Sequence, residues 1–147
     1  MNKDIEKILS EEGVYVSSVV GRSMYPMLRE GRDTVAVTPV SGRLKKYDVA
    51  LYRVGEKYVL HRVVRVLPDS YICCGDNCVV LERGICDGDV VGVLSKVWQG
   101  ERELDLDSLG YRLYSRRKVL GFLPRKIWRR LRGAVSRRIK KIFGNKK

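Results

Sequence analysis

Residues 58–66 read YVLHRVVRV, a run of β-branched and aromatic residues that carries the only histidine of the chain. Successive side chains of a β-strand point to opposite faces, so this run has two faces. One face would carry Tyr58, Leu60, Arg62 and Val64, and the other would carry Val59, His61, Val63 and Arg65. His61 therefore shares a face with valines, which predicts an imidazole in a half-buried, dry environment.

Five similar runs surround this one, separated by Gly, Pro, Asp and Asn. They lie at 14–20, 34–37, 48–54, 71–74 and 89–98. Six short strands so close together predict a mainly β, mostly antiparallel domain. In DIEKILSEE (4–12), Ile5, Ile8 and Leu9 have helical spacing, which predicts a short amphipathic helix before the sheet.

Charge divides the chain into two parts. Residues 1–111 hold 15 Lys and Arg against 17 Asp and Glu, whereas residues 112–147 hold 15 Lys and Arg and no acid. The segment ERELDLDSLG (101–110) is the predicted boundary, which gives a β-domain at 1–105 and a basic helical tail at 106–147. A polycation favours anionic partners, either nucleic acid or the acidic leaflet of a membrane.

The tail has the pattern of a basic amphipathic helix that starts after Pro124. One half of its helical wheel is apolar, and most of its Arg and Lys occupy the other half. This pattern is typical of a helix lying in a membrane interface. The predicted membrane-binding residues are Trp128, Arg129, Arg130, Arg137 and Lys140. A helix packed on the β-domain with a solvated basic face is the alternative. Nucleic acid is not expected as a partner, because no base-reading motif is present.

The sequence contains no apolar run long enough to span a bilayer, and its first residues include acids where a signal peptide would be apolar. A cytoplasmic protein, peripheral on the inner face of the membrane, is therefore expected. Cys73, Cys74, Cys78 and Cys86 would then be reduced thiols. Their spacing matches no common zinc pattern, so neither a metal nor another cofactor is expected.

The segment GRSMYPML (21–28) places a serine in a stiff turn. Gly21 permits an unusual backbone angle before Ser23, and Pro26 fixes the chain after it. A serine hydroxyl becomes a nucleophile when a base takes its proton, and a neutral imidazole suits that task near pH 7. On these residues alone, a solvated turn serine and a structural histidine remain the alternative.

Five segments appear in the order of the conserved boxes of the signal peptidase I-like serine peptidases, a superfamily that includes the self-cleaving SOS repressors. The segments are GRSMYPML (21–28), LKKYDVALYR (44–53), YVLHRVV (58–64), ICCGDNCVVLERGI (72–85) and GDVVGVLSKV (88–97). The resemblance covers residues 14–98. The histidine in the third segment resembles the endoplasmic-reticulum and archaeal enzymes, whereas the bacterial enzymes have lysine there.

The resemblance implies that Ser23 is the nucleophile and His61 its general base. Glu82 would orient the imidazole, and Asp76 would either take that role or brace the active-site loop. Many bacterial members have a hydroxyl two residues before the nucleophile, where this chain has Gly21, so the oxyanion would depend on backbone N–H groups such as that of Ser23. Lys96 lies outside the family's lysine position and is interpreted as a surface residue.

The resemblance also implies the substrate. Small residues before the cleaved bond would enter a shallow apolar pocket around Met24 and Val35, and the substrate would bind as an extended strand. The expected function is a serine endopeptidase that cleaves leader or signal segments of peptide or protein precursors at the membrane surface. A catalytically weak or inactive module that binds a peptide or partner there is the alternative. Self-cleavage is not expected, because only 22 residues precede Ser23.

Overall fold

The computed structural model describes residues 3–122, 124–128 and 131–132. Helix α1 (Lys3–Glu12) opens the chain and helix α2 (Leu109–Leu120) follows the sheet. A short 3₁₀ turn lies at Asp87–Asp89. The strands are β1 (Tyr15–Ser18), β2 (Asp33–Thr38), β3 (Val49–Val54), β4 (Lys57–Val66), β5 (Tyr71–Cys74), β6 (Glu82–Ile85), β7 (Val90–Gln99) and β8 (Arg102–Glu103).

The strands form one antiparallel sheet that curls into a half-barrel. Their order is β1-β2-β7-β3-β4-β5-β6, with β8 paired to β7. Strands make up 37% of the residues and helices 25%, so the predicted mainly β class is confirmed, together with a helix at each end of the sheet. The curl brings β6 back towards β3, although three strand pairings separate them.

All six predicted runs form strands, and two strands were not predicted. The β6 sequence ERGI contains two charged residues and a glycine, so it lacks the β-branched signal, and β6 pairs only with β5. Strand β8 has two residues and lies inside the segment interpreted as a boundary. Both depend on tertiary pairing, which local sequence does not encode.

Two apolar clusters lie on opposite faces of β4. One contains Met24, Met27, Leu28 and Val35, with Leu60 packed against it. The other contains Ala50, Tyr52, Val63, Tyr71 and Cys73, together with Leu44 and Ile85. The turn that carries Ser23 belongs to the first cluster through Met24, Met27 and Leu28.

Helix α2 begins earlier than the helix predicted after Pro124. Ser108 caps its N-terminus by accepting a hydrogen bond from the N–H of Tyr111. Ser115 is the one buried residue of the helix. Polar contacts made by Tyr111, Tyr114 and Ser115 attach it to the sheet, so no apolar stripe marked it in the sequence.

After α2, the described residues of the basic tail are helical at 124–128 and at 131–132. Ile127, Trp128 and Leu131 are 58%, 62% and 57% exposed, so these large apolar side chains face outward. Arg129, Arg130, Arg137 and Lys140 lie outside the described residues. Among the described helices, none is long and apolar enough to cross a membrane.

Candidate active site

Ser23 lies half-buried in the turn between β1 and β2, next to the buried Met24. Gly21 adopts a φ of +83°, which favours glycine, and its N–H donates to Glu30 Oε1 at 3.0 Å. The backbone N–H of Asn77 donates to the carbonyl oxygen of Ser23 at 2.7 Å. These contacts fix the serine turn against the loop that follows β5.

His61 is buried in β4, and its two ring nitrogens meet different groups. Nδ1 lies 3.2 Å from the hydroxyl of Tyr52 and 3.4 Å from Glu82 Oε2. Burial lowers the pKa of His61 below its ordinary value, although the nearby Glu82 carboxylate opposes this shift. The imidazole is therefore neutral at physiological pH, the state that a general base requires.

Gly75 is the point where the serine turn and the histidine come together. A Cβ placed on Gly75 would lie 2.6 Å from the carbonyl oxygen of Ser23 and 3.0 Å from His61 Nε2. Both groups therefore pack against the bare Cα of this glycine, and any side chain there would displace one of them. The Nε2 edge of His61 faces the serine turn, and the Nδ1 edge faces Tyr52 and Glu82.

The serine and the histidine are near each other without a direct bond between their side chains. Among the described residues, no hydrogen bond joins Ser23 Oγ to His61. Catalytic hydrogen bonds are often long in unliganded enzymes and tighten when substrate binds.

An apolar groove of about 400 Å³ opens beside the serine. Ser23 lies at its wall, and the predicted pocket residues Met24 and Val35 also line it. Strands β1, β2, β3 and β4 supply most of the remaining walls. Leu60 lines the groove while His61, the next residue of β4, does not. Val59, which shares the face of His61, also lines the groove, so the groove walls include residues from both faces of β4.

The two candidate carboxylates lie in different places. Glu82 contacts His61 directly and also accepts a short hydrogen bond from the Tyr52 hydroxyl. Asp76 is buried and forms a two-pronged ion pair with Arg62, at 2.8 Å for each bond. Asp76 therefore braces the loop, and Glu82 is the carboxylate at the ring.

The cysteines border this arrangement, with Cys78 Sγ beside Gly75 and Cys73 beside the Tyr52 hydroxyl, whereas Lys96 lies apart from it. Among the described residues, no group of His, Cys, Asp and Glu could hold a metal ion. Burial raises the pKa of the Cys73 and Cys74 thiols to about 12 and about 11, so both stay protonated. Lys96 is exposed and lies 3.5 Å from Glu103.

Sequence reasoning missed Tyr52 and the full role of Arg62. Tyr52 occurs in an apolar run, where a tyrosine is indistinguishable from any other core aromatic residue. The alternation of β3 was the signal that the sequence offered. In the structure Ala50 pairs with His61, so Tyr52, two residues later, lies on the same face as the imidazole. Arg62 stood beside the histidine in a quoted segment, but its partners in α2 are distant in sequence.

No protein-family model matches the chain, and none of the curated proteins compared with it matches either. A function for this chain therefore has to be inferred from the geometry of the site.

Proposed function

We propose that this chain is a serine endopeptidase of the signal peptidase I-like, histidine type, acting on leader or signal segments of peptide or protein precursors. One observation carries the proposal. Ser23 and the Nε2 edge of His61 converge on Gly75, while Glu82 lies at the opposite ring nitrogen. This arrangement supports the assignment of Ser23 as nucleophile, His61 as base and Glu82 as orienting carboxylate, the order that acyl transfer requires.

The chemistry follows from that order. Ser23 Oγ would attack the scissile carbonyl carbon as its proton passes to His61 Nε2. The imidazolium that forms is stabilised by the charge of Glu82 and then gives the proton to the departing amine, which leaves an acyl-enzyme ester. A water molecule, deprotonated by the same imidazole, then hydrolyses the ester and restores Ser23.

The groove indicates the substrate class. Its walls are mostly apolar, which suits side chains without charge. Within the part of the chain that the structure describes, β1 is an edge strand paired with β2, so we expect its other edge to accept an extended peptide. We therefore expect cleavage after small residues in an extended segment.

Cleavage of a peptide library by the full chain, read by mass spectrometry, tests the peptidase proposal. Replacing Ser23 by Ala should abolish cleavage and labelling by a fluorophosphonate. Ser70→Ala is the matched control, because Ser70 is a half-buried serine in another turn, between β4 and β5. Equal cleavage by Ser23→Ala and Ser70→Ala preparations would refute the proposal.

The basic tail is proposed to hold the enzyme at an anionic membrane surface. Exposed Ile127, Trp128 and Leu131 would insert while the surrounding cations meet lipid phosphates. Sedimentation with phosphatidylserine-containing vesicles should fall for Trp128→Ala but not for Leu113→Ala, an exposed leucine of α2. Substitution is preferable to deletion, because Lys118 and Arg125 donate to the carbonyl oxygen of Asp76.

A second candidate is a module that binds a peptide without cleaving it. Two observations favour it: the groove does not include His61, and within the described residues the Ser23 hydroxyl makes no hydrogen bond to the ring. Binding of an extended peptide that survives intact, equally in the natural chain and in His61→Ala, would support this function over the peptidase.

A further inference from the structure

The hydroxyl of Tyr52 lies at the side of His61 that faces away from the serine turn. The Tyr52 side chain is fully buried, and its oxygen is 3.2 Å from His61 Nδ1. The same hydroxyl donates a short hydrogen bond to Glu82 Oε2. Nδ1 thus meets two oxygens, one from a phenol and one from a carboxylate.

The position of the phenolic proton decides which ring nitrogen of His61 carries hydrogen. A hydroxyl has one proton, and that of Tyr52 is directed to Glu82, so the Tyr52 oxygen is left as an acceptor towards Nδ1. Glu82 Oε2 is also an acceptor. Burial, reinforced by Glu82, raises the pKa of Tyr52, so the proton stays on the phenol. With two acceptors before it, Nδ1 must carry the hydrogen, and Nε2 keeps its lone pair for the serine.

Tyr52 is also better placed than Glu82 to hold the ring still. It belongs to β3, which has strand partners on both sides, and its ring meets that of His61 edge-on with centroids 6.3 Å apart. Glu82 belongs to the edge strand β6, and its side chain is 34% exposed. An exposed carboxylate can swing into water unless another group retains it.

We propose that Tyr52 is a positioning residue that fixes the Nδ1–H tautomer of His61 and retains Glu82 beside the ring. Its catalytic consequence rests on the proposed peptidase function, whereas its effect on the tautomer does not. Other titratable groups near the ring are Asp76, Cys73 beside the Tyr52 hydroxyl, and Cys78 beside Gly75. The oxygens of Tyr52 and Glu82 lie at Nδ1 itself, at 3.2 Å and 3.4 Å.

The test measures the tautomer directly by ¹⁵N NMR of the full chain, in which His61 is the only histidine. We expect the Nδ1–H form in the natural chain and a mixture of tautomers in Tyr52→Phe. Tyr71→Phe is the matched control, because Tyr71 is equally buried and its hydroxyl bonds to Asp87, Arg43 and Leu44 instead.

Cleavage kinetics supply a second readout. Tyr52→Phe should lower kcat about 10- to 100-fold with KM nearly unchanged, the factor expected when a hydrogen bond to a group that becomes charged is lost. Tyr71→Phe should leave kcat within about twofold of the natural chain, since its hydroxyl is not near the ring.

An Nε2–H tautomer in the natural chain would overturn the proposal even if Tyr52→Phe did not fold. A tautomer that is the same in folded Tyr52→Phe and Tyr71→Phe would overturn it as well. If the tautomer changes in Tyr52→Phe but the natural chain cleaves nothing, the positioning role stands and the peptidase function fails. The two failures are therefore distinguishable.

Discussion

His61 and Arg62 are neighbours on β4, yet they face opposite sides of the sheet and meet very different surroundings. Each has a carboxylate partner from the segment after β5: Glu82 for the histidine and Asp76 for the arginine. The Arg62 guanidinium also donates to Ser115 Oγ at 2.8 Å and to the carbonyl oxygen of Tyr47 at 3.0 Å. At its Nδ1 edge, His61 meets a partly exposed acid and one phenol.

This difference separates a pair that supports the fold from a pair suited to proton transfer. Burial opposes the charge of Arg62, but Asp76 outweighs it and raises the pKa of Arg62, so the guanidinium stays charged. His61 is held neutral by burial, with a negative charge close enough to stabilise it once it gains a proton. The Arg62–Asp76 pair holds the loop, whereas the imidazole of the His61–Glu82 pair can gain or lose a proton.

The largest expected effect comes from breaking the Arg62–Asp76 ion pair. Asp76→Asn would leave the Arg62 charge buried without its partner, so the free energy of unfolding should fall by about 3–5 kcal/mol. Urea denaturation measures this. The double variant Arg62→Met with Asp76→Leu removes both charges and should recover most of the loss. A loss below about 1 kcal/mol in the single variant would mean that the pair is not a framework element.

Breaking the contact between His61 and Glu82 should affect the cleavage rate more than the stability of the fold. Glu82→Gln would lower kcat about 10²-fold or more, because the imidazolium loses its counter-charge. Glu82 raises the pKa of His61 against burial, so its loss should shift the acid limb of the pH–rate profile to lower pH. An acid limb that moves to higher pH would contradict this role for Glu82.

Adding one methyl group at Gly75 tests whether the serine turn and His61 come together at this residue. Gly75→Ala would press on the Ser23 carbonyl and on His61 Nε2, at a cost of about 1–3 kcal/mol in stability. Cleavage should be lost even where the protein stays folded. Gly88→Ala is the control, because a Cβ there meets nothing within 4 Å. Equal activity of the two variants would show that the two groups do not converge.

The smallest expected effect is the pH dependence of stability. The folded-state pKa of His61 is below its ordinary value of 6.5, so the folded state disfavours protonation. This contribution to stability is present above pH 6.5 and is lost as the pH falls below it. Thermal unfolding at pH 7.5 and 5.5 should therefore differ more in the natural chain than in His61→Gln. The same difference in both would contradict a buried, neutral imidazole.

The sequence patterns predicted most strands of the half-barrel but not the side-chain contacts between them. Alternation located β4 and the two faces on which His61 and Arg62 lie, because that alternation is local. It left open which carboxylate meets the ring, since the choice depends on the curl that returns β6 to β3. Helix α2 lies inside the predicted helical tail (106–147) but begins before the predicted start after Pro124, because hydroxyls and tyrosines, rather than a periodic apolar face, attach it.

The attachment of α2 also sets an order of events during synthesis. Arg62 and Asp76 leave the ribosome early, whereas Ser115, which completes the surroundings of the guanidinium, follows Arg62 by 53 residues. Until then the sheet can pair all its strands, but the loop that carries Gly75 lacks its outer support. A nascent chain would therefore gain its shape before it gains a finished site, which would delay any activity until the helix has docked.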